Sequence, residues 1–203
     1  MEAAQERIQG AVDAVSKWSA RWKLQLSAEK CECAFFSTNS HEAKWRPSIT
    51  IEGRPLKYNP TPTFLGIKYD RQLTFGGHVE EVTKKVKRRS QAIRKLGNTD
   101  WGYEKEVLRG TYIAVGRSVI EYAAPAWIPW TSKTNLENLE AAQRYAARAV
   151  TGQLKTTPAV AVLIESDLPS IKTRSMQLAI SAFDKARRQP QTWSVYQRGG
   201  HKN

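Results

Sequence analysis

The stretch "TFLGIKYDRQLTFGGHVEEVTKKVKRRSQAIRKLG", residues 63–97, contains the point at which the hydrophobic period of the chain changes. Before Gly76, apolar and polar residues alternate as in a short β-strand. After Gly77, apolar residues recur at helical spacing as far as Gly97, a typical C-terminal cap. The helical positions are Val79, Val82, Val86, Ile93 and Leu96. This change of period predicts a strand-containing domain over residues 1–75 and a helical domain from residue 76 onward.

The first domain is predicted to be one amphipathic helix packed on a small sheet. Apolar residues are spaced by alternating steps of three and four along its first helix, at Ile8, Ala11, Val15, Trp18 and Trp22. We expect this stripe, with both tryptophans, to lie in the core. The segments "KLQLS" (23–27), "KCECAFFS" (30–37) and "SITIEGRPLKY" (48–58) then alternate at period two. They predict a small, mainly antiparallel sheet.

The second domain, residues 76–188, is predicted to be an α-helical bundle. Asp100 is a candidate N-cap for a helix that stops before Pro125, and its apolar stripe is Tyr103, Val107, Tyr112, Val115, Val119 and Tyr122. A further helix is predicted from about Ser132 to Gly152, with Leu136, Leu139, Ala142, Ala146 and Val150 inward. Pro158 fits the first turn of a short helix, and Ile171, Leu178, Ala182 and Ala186 mark the last one. Residues 189–203 lack periodicity, and we expect a disordered tail. The predicted fold class is α+β.

The charge of the chain favours a polyanionic partner. Lys and Arg total 32 of the 203 residues against 19 Asp and Glu, which gives a net charge of +13. Residues 76–203 hold 21 basic and 11 acidic side chains, so they carry +10 of that charge. The densest run has no acid among its basic residues, which are Lys84, Lys85, Lys87, Arg88, Arg89, Arg94 and Lys95. We predict that these residues contact nucleic-acid phosphates; the alternative is an ordinary solvated helix face.

Other features exclude several classes of protein. The two cysteines, Cys31 and Cys33, match no zinc spacing with His41, so we expect them to be small hydrophobic residues in a reducing compartment. No run of about 18 apolar residues occurs, and the start of the chain is not that of a signal peptide. We therefore expect an intracellular protein without membrane insertion. Trp127 and Trp130, which follow a proline turn, are expected to lock helices together.

The sequence offers few candidate catalytic residues. The five aspartates, Asp13, Asp70, Asp100, Asp167 and Asp184, include no close pair, whereas two-metal chemistry needs carboxylates that converge on ions about 4 Å apart. No glycine-rich phosphate loop is present either, so the residues alone predict a binding protein. Gly66, placed in a predicted strand, marks either a bulge or a point where a ligand approaches the backbone.

The order of these segments resembles the C-terminal half of a non-LTR retrotransposon reverse transcriptase, namely the end of its palm and its thumb. The stretch "VSKWSARWKLQLSAEKCECAFF" (15–36) is similar to a Trp-rich palm motif of that family, and Lys30 falls on the motif's lysine. "TFLGIKYDRQLTF" (63–75) is similar to the family's primer-grip hairpin. "YIAVGRSVIEYAAPAWIPWTSKTNLENLEAAQRYAARAVTG" (112–152) and "TTPAVAVLIESDLPSI" (156–171) resemble the thumb.

The resemblance implies a set of roles. Residues 1–75 would be the end of a palm and residues 76–188 a thumb, and together they would bind RNA, DNA or an RNA–DNA duplex as template and primer. Phe64, Leu65 and Gly66 would form the primer grip, and Lys30 would assist the nucleotide's leaving phosphate as a general acid in the parent enzyme. The family's metal-binding aspartates come earlier in its sequence and have no counterpart here, so Mg²⁺ is expected only in an intact parent. We expect this chain alone not to polymerise DNA and the missing upstream polymerase portion to be a partner.

Two alternatives stay open at this point, and one of them is a decayed reading frame whose product is barely expressed or fails to fold. The chain could be a standalone basic module, retained for RNA binding or protein interaction, with no polymerase-like function. A palm and thumb should prefer a primer–template junction, whereas a generic basic helix should follow charge density alone. Location in a ribonucleoprotein, nuclear or cytoplasmic, is compatible with both.

Overall fold

The computed structural model describes residues 2–97 and 102–188, and the chain divides into two compact units, Met1–Gly77 and His78–Asn203. Helices and short paired strands are both present, which confirms the predicted α+β class. The cap predicted at Asp100 and the tail predicted over residues 189–203 lie outside the described residues. Among the described helices, none has both the length and the hydropathy needed to cross a bilayer.

The first unit holds one long helix and six strands of two residues each. Its elements are α1 (Glu2–Arg21), a 3₁₀ turn (Ala28–Lys30), β1 (Glu32–Cys33), a second 3₁₀ turn (Glu42–Lys44), β2 (Thr50–Ile51), β3 (Arg54–Pro55), β4 (Lys57–Tyr58), β5 (Thr63–Phe64) and β6 (Ile67–Lys68). β1 and β4 pair in parallel, whereas β2–β3 and β5–β6 are antiparallel hairpins. The described strands therefore form three separate two-stranded ladders, two of them antiparallel.

The ladders are shorter than the alternating sequence predicts, and "KLQLS" forms no strand. Between β2 and β3 the chain turns sharply through Glu52 and Gly53, with φ of +50° and +76°. Pro55 lies opposite Thr50, and one more cross-strand hydrogen bond follows, from the Leu56 N–H to the Ile49 carbonyl at 2.8 Å. Period two in a sequence predicts which residues share a face, but it does not determine the length of a ladder.

Helix α1 is oriented differently from the prediction. The stripe expected in the core is solvent-exposed, with 57% of Trp18 and 64% of Trp22 accessible. The adjacent face packs instead, because Gln9 makes two hydrogen bonds to the backbone of Thr50 and Gln5 accepts one from the Ser48 N–H. The prediction that both tryptophans are core residues is wrong: the unit's buried apolar residues lie in its strands and turns, at Ala43, Ile49, Ile51, Ile67 and Phe75.

The second unit is helical, and α2 enters it from the end of the first. Its elements are α2 (Gly76–Leu96), α3 (Lys105–Thr111), a π-helical segment (Tyr112–Arg117), α4 (Ser118–Glu121), α5 (Ala124–Trp127), a 3₁₀ turn (Ile128–Trp130), α6 (Lys133–Thr151), α7 (Ala159–Glu165) and α8 (Ile171–Arg188). Val79, Val82, Val86 and Ile93 of α2 are buried as predicted, whereas Leu96 is exposed.

The stripe predicted for residues 103–122 is only partly correct, and a π-helical segment interrupts it. Tyr112 is buried as predicted, whereas Tyr103, Val107, Val115 and Tyr122 are exposed, and Leu108 and Ile120 are buried instead. A π turn contains more residues than an α turn, so it shifts every later side chain around the helix axis. Gly116 permits this packing, because a Cβ there would lie 2.5 Å from the Tyr112 ring.

Helix α6 matches the prediction in both extent and orientation. Ser132 caps its start by accepting a hydrogen bond from the Asn135 N–H at 3.2 Å, and Gly152 ends it with a φ of +71°. Four of its predicted inward residues, Leu139, Ala142, Ala146 and Val150, are buried.

Helix α8 is attached through a small ionic network. Glu121 accepts hydrogen bonds from Arg174 of α8 and lies 2.8 Å from the guanidinium of Arg117, which is buried. The predicted inward residues Ala182 and Ala186 are exposed, because only the first half of α8 is covered.

Trp127 is fully buried as predicted, with its indole N–H donating to the Tyr122 carbonyl at 3.0 Å, whereas Trp130 is exposed.

Candidate nucleic-acid interface

Helix α2 exposes most of the basic side chains that the sequence singled out. Lys84, Lys85, Lys87, Arg88, Arg94 and Lys95 are exposed, and Arg89 is half-buried. They are carried by one helix whose other face is anchored by buried valines and Ile93. The core therefore holds the helix in place while its cations remain accessible to a polyanion.

Two of these seven residues have partners within the second unit. Lys84 forms an ion pair with Glu80 one turn earlier, at 2.7 Å, and the hydrogen bond to Glu80 raises the pKa of its ammonium group. The Arg89 guanidinium donates to the carbonyl oxygen of Val115, in the π-helical segment. Arg89 thus ties α2 to a neighbouring element, a role that its position in a basic run does not predict.

An open groove of about 650 Å³ lies at the C-terminal end of α2. Five α2 residues and one residue of α6 line it: Arg88, Gln91, Ala92, Arg94, Lys95 and Tyr145. No acidic side chain is among these lining residues. Gln91 and Tyr145 were not predicted as site residues. Tyr145 interrupts an alanine-rich helix with a large aromatic side chain, which was a signal in the sequence, but its nearness to α2 depends on the tertiary fold.

The primer-grip-like residues lie at the end of the β5–β6 hairpin in the first unit. Leu65 and Gly66 form its two-residue turn, with φ of +47° and +76°, as in a type I′ turn. Gly66 is therefore a turn residue, and the prediction that it interrupts a strand or forms a bulge is wrong. Phe64 and Leu65 are 64% and 72% exposed. The hairpin presents an apolar tip.

Lys30 ends the 3₁₀ turn Ala28–Lys30 and is exposed. Its backbone N–H donates to the Ser27 carbonyl at 3.2 Å. The role of its ammonium group as a general acid stays a prediction.

Buried His78 lies near the start of α2, against Trp127. The two rings meet edge to face with their centroids 4.8 Å apart. Burial lowers the pKa of His78; nearby Glu81 opposes this shift and Lys85 adds to it. His78 is thus a neutral packing residue of the second unit.

The residues at hand do not fit a divalent-metal site. Within residues 2–97 and 102–188, no group of three His, Cys, Asp or Glu side chains could hold a metal ion. Two-metal phosphoryl transfer needs such a group.

Comparisons with known proteins identify relatives of one kind. The chain is 29% identical to the RNA-directed DNA polymerase from mobile element jockey of Drosophila melanogaster over 49% of its length. It is 26% identical to the probable RNA-directed DNA polymerase from transposon BS of the same species, over 71% of its length. It is also 26% identical to a retrovirus-related Pol polyprotein from type-1 retrotransposable element R1 2 of Nasonia vitripennis, over 75% of its length. These matches confirm the resemblance to non-LTR retrotransposon reverse transcriptases.

The matches cover only part of each relative. The aligned regions make up 10%, 16% and 38% of those three proteins. No protein-family model and no solved structure matches the chain.

Proposed function

We propose that this chain, which is related to the RNA-directed DNA polymerases of non-LTR retrotransposons, is a portion of such an enzyme that binds template–primer nucleic acid without sequence preference. The observation that carries the proposal is the exposed cationic surface of α2, six Lys and Arg side chains with a buried apolar face behind them. Cations spaced along a rigid helix neutralise successive phosphates, and this contact fixes position without selecting sequence.

The apolar hairpin tip supports a preference for a primer end. Phe64 and Leu65 are largely exposed on a turn that holds them away from the unit's core. An apolar tip suits the exposed face of a terminal base pair better than the charged backbone of a continuous duplex. The proposal therefore assigns affinity to α2 and junction preference to the hairpin.

The chain alone is proposed to lack polymerisation activity. Its five aspartates are scattered along the sequence and include no close pair, whereas two-metal chemistry needs carboxylates that converge on the ions. In an intact parent enzyme of this family, metal-binding aspartates would hold Mg²⁺, and RNA-directed DNA synthesis would be the activity. The setting we propose is an intracellular ribonucleoprotein, nuclear or cytoplasmic.

The upstream part of such a polymerase is a proposed partner, and the exposed face of α1 is the surface that would meet it. Ile8, Val15, Trp18 and Trp22 are all more than 40% exposed on that face. Burying an exposed apolar stripe is favourable by roughly 25 cal/mol per Å². Replacing Trp18 and Trp22 by Gln should weaken binding of a separately produced upstream palm portion of a relative, and leave nucleic-acid binding unchanged.

The test of the nucleic-acid proposal replaces Lys84, Lys85, Lys87 and Arg88 by Gln and leaves Arg89 intact, because Arg89 has a structural partner. The logarithm of the duplex association constant should then fall less steeply with the logarithm of salt concentration, by about 1 for each lost phosphate contact. A variant with Lys44, Arg46, Arg54 and Lys57 of the first unit replaced by Gln loses the same charge and serves as control. If both variants change the slope equally, the chain is a generic basic module and the assignment to α2 is wrong.

A further inference from the structure

We infer that the groove between α2 and α6 holds one unpaired nucleotide of a strand, with its base stacked on Tyr145 and its phosphates held by Arg88, Arg94 and Lys95. The inference rests on the proposed function and names the part of the nucleic acid that this groove takes. The groove would thus bind a base, in addition to the phosphate contacts that α2 makes.

The first support is the charge of the groove. Among the described residues, neither Arg88 nor Arg94 nor Lys95 has an acidic partner, in contrast to Lys84 with Glu80. Arg94 and Lys95 lie in the last turn of α2, where the helix dipole favours cations. Arg88 lies about two turns earlier and has no such explanation. Three unneutralised cations around one groove favour an anionic ligand with more than one charge.

The second support is Tyr145. Its inward neighbours on α6 include Ala142 and Ala146, both fully or almost fully buried, whereas Tyr145 itself is partly exposed and lines the groove. Within the described part of the chain, no hydrogen bond and no ring contact involves the Tyr145 side chain. A tyrosine that serves the core normally finds a partner for its hydroxyl group. An aromatic side chain beside cations is the arrangement with which proteins bind single strands.

The third support is the combination of groups in one open space. The groove, at about 650 Å³, is lined by cations, an aromatic ring and the amide of Gln91, which can donate to and accept from a base edge. A base inside a duplex has both faces covered by its neighbours and cannot stack on a side chain. The ligand that uses all of these groups is an unpaired nucleotide, such as one in a template overhang. One glutamine amide does not distinguish the four bases, so we expect weak sequence preference.

The experiment measures binding of the full chain to three probes: a single-stranded octanucleotide of DNA, the same sequence as RNA, and a blunt duplex of that length. Tyr145→Leu should weaken binding to both single strands by about 5- to 150-fold, the value of one stacked base. It should leave the salt slope and the duplex affinity unchanged. Tyr145→Phe should bind like the wild type, and so should the control Tyr103→Leu, which removes an exposed tyrosine of the same unit outside the groove.

Two outcomes overturn the inference. One is unchanged single-strand binding by Tyr145→Leu; the other is an equal loss on all three probes by a variant that unfolds at the wild-type temperature. If Tyr145→Leu fails to fold, Tyr145→Trp decides: its fluorescence should change on binding the single strand and not the duplex, and an equal change with both contradicts the inference. A wild-type chain that binds none of the probes would instead refute the proposed function, and the inference with it.

Discussion

The side-chain amide of Gln9 pairs with both backbone polar groups of Thr50. Its Nε2 donates to the Thr50 carbonyl at 2.9 Å, and the Thr50 N–H donates to its Oε1 at 3.0 Å. Gln9 thus completes the hydrogen bonding of β2 as a neighbouring strand would. Because this pairing holds the polar face of α1 inward, the stripe that carries Trp18 and Trp22 faces solvent.

Gln9→Ala should lower the free energy of unfolding of the first unit. The substitution leaves the N–H and carbonyl of Thr50 without this partner, and an unsatisfied, partly buried polar group costs about 1–3 kcal/mol. Urea denaturation would measure the loss. Gln91→Ala, at an exposed helical position, is the matched control and should stay within about 0.5 kcal/mol of the wild type. Equal effects of the two substitutions would mean that the Gln9 pairing contributes nothing.

Arg89→Gln and Lys87→Gln should behave differently although they remove the same charge from one helix. Arg89 donates to the Val115 carbonyl, so its loss should lower the free energy of unfolding by about 1–2 kcal/mol and change the salt slope of duplex binding little. Lys87 is exposed, so its loss should reduce the slope by about 1 and spare stability. Thermal unfolding and a salt titration of each variant provide the measurements. The reverse pattern would show that Arg89 contacts nucleic acid and that its hydrogen bond is incidental.

Leu65→Asn should separate the folding of the β5–β6 hairpin from its proposed contact with a primer end. Leu65 has a φ of +47°, a conformation that Asn adopts more readily, and Asn-Gly is the preferred type I′ pair. We expect the free energy of unfolding of the variant to equal that of the wild type or to exceed it by up to about 1 kcal/mol. It should lose preference for a recessed end over a blunt duplex, because the apolar tip is gone. A variant with undiminished junction preference would exclude Leu65 from that contact.

The second unit should become less stable as pH falls below about 6.5, the ordinary pKa of histidine. Burial lowers the pKa of His78 in the folded chain. Between its unfolded and folded pKa values the unfolded chain therefore binds the extra proton, which favours unfolding. His78→Phe keeps a ring against Trp127 and should flatten this dependence, whereas His41→Gln in the first unit should not. The free energy of unfolding, measured from pH 5 to pH 8, would test this. If the His78→Phe variant keeps the same dependence on pH, other groups cause it.

The sequence predicts best where structure is determined locally. The C-terminal end of α2 and both ends of α6 lie where they are predicted, and at α6 Ser132 and Gly152 act on the residues next to them. The π-helical segment is not predicted, since it reflects the packing of Tyr112 against Gly116. The orientation of α1 is not predicted either, because an apolar stripe indicates which face is apolar and not whether a surface is present to cover it.

The basic residues of the candidate site could be predicted from the sequence, whereas the groove could not. The basic run of α2 is evident from composition, and its exposure follows from the valines on the opposite face of the helix. The groove was not predicted, because Tyr145 lies 50 positions from Lys95 in sequence and reaches α2 only through the packing of the bundle. Gly66 was predicted to lie within a strand, whereas its φ of +76° places it in a hairpin turn; its contact with a primer end stays a prediction.

Binding of a recessed primer end by this chain can be measured by titrating the purified, folded chain with an RNA–DNA duplex that has a recessed end, a blunt duplex and a single strand, each over a series of salt concentrations. We expect tighter binding to the recessed end, with a margin over the blunt duplex that persists as salt is raised, because the hairpin tip contributes apolar contacts that salt does not screen. Equal affinities that fall together with salt would contradict it and leave a basic helix that binds any polyanion.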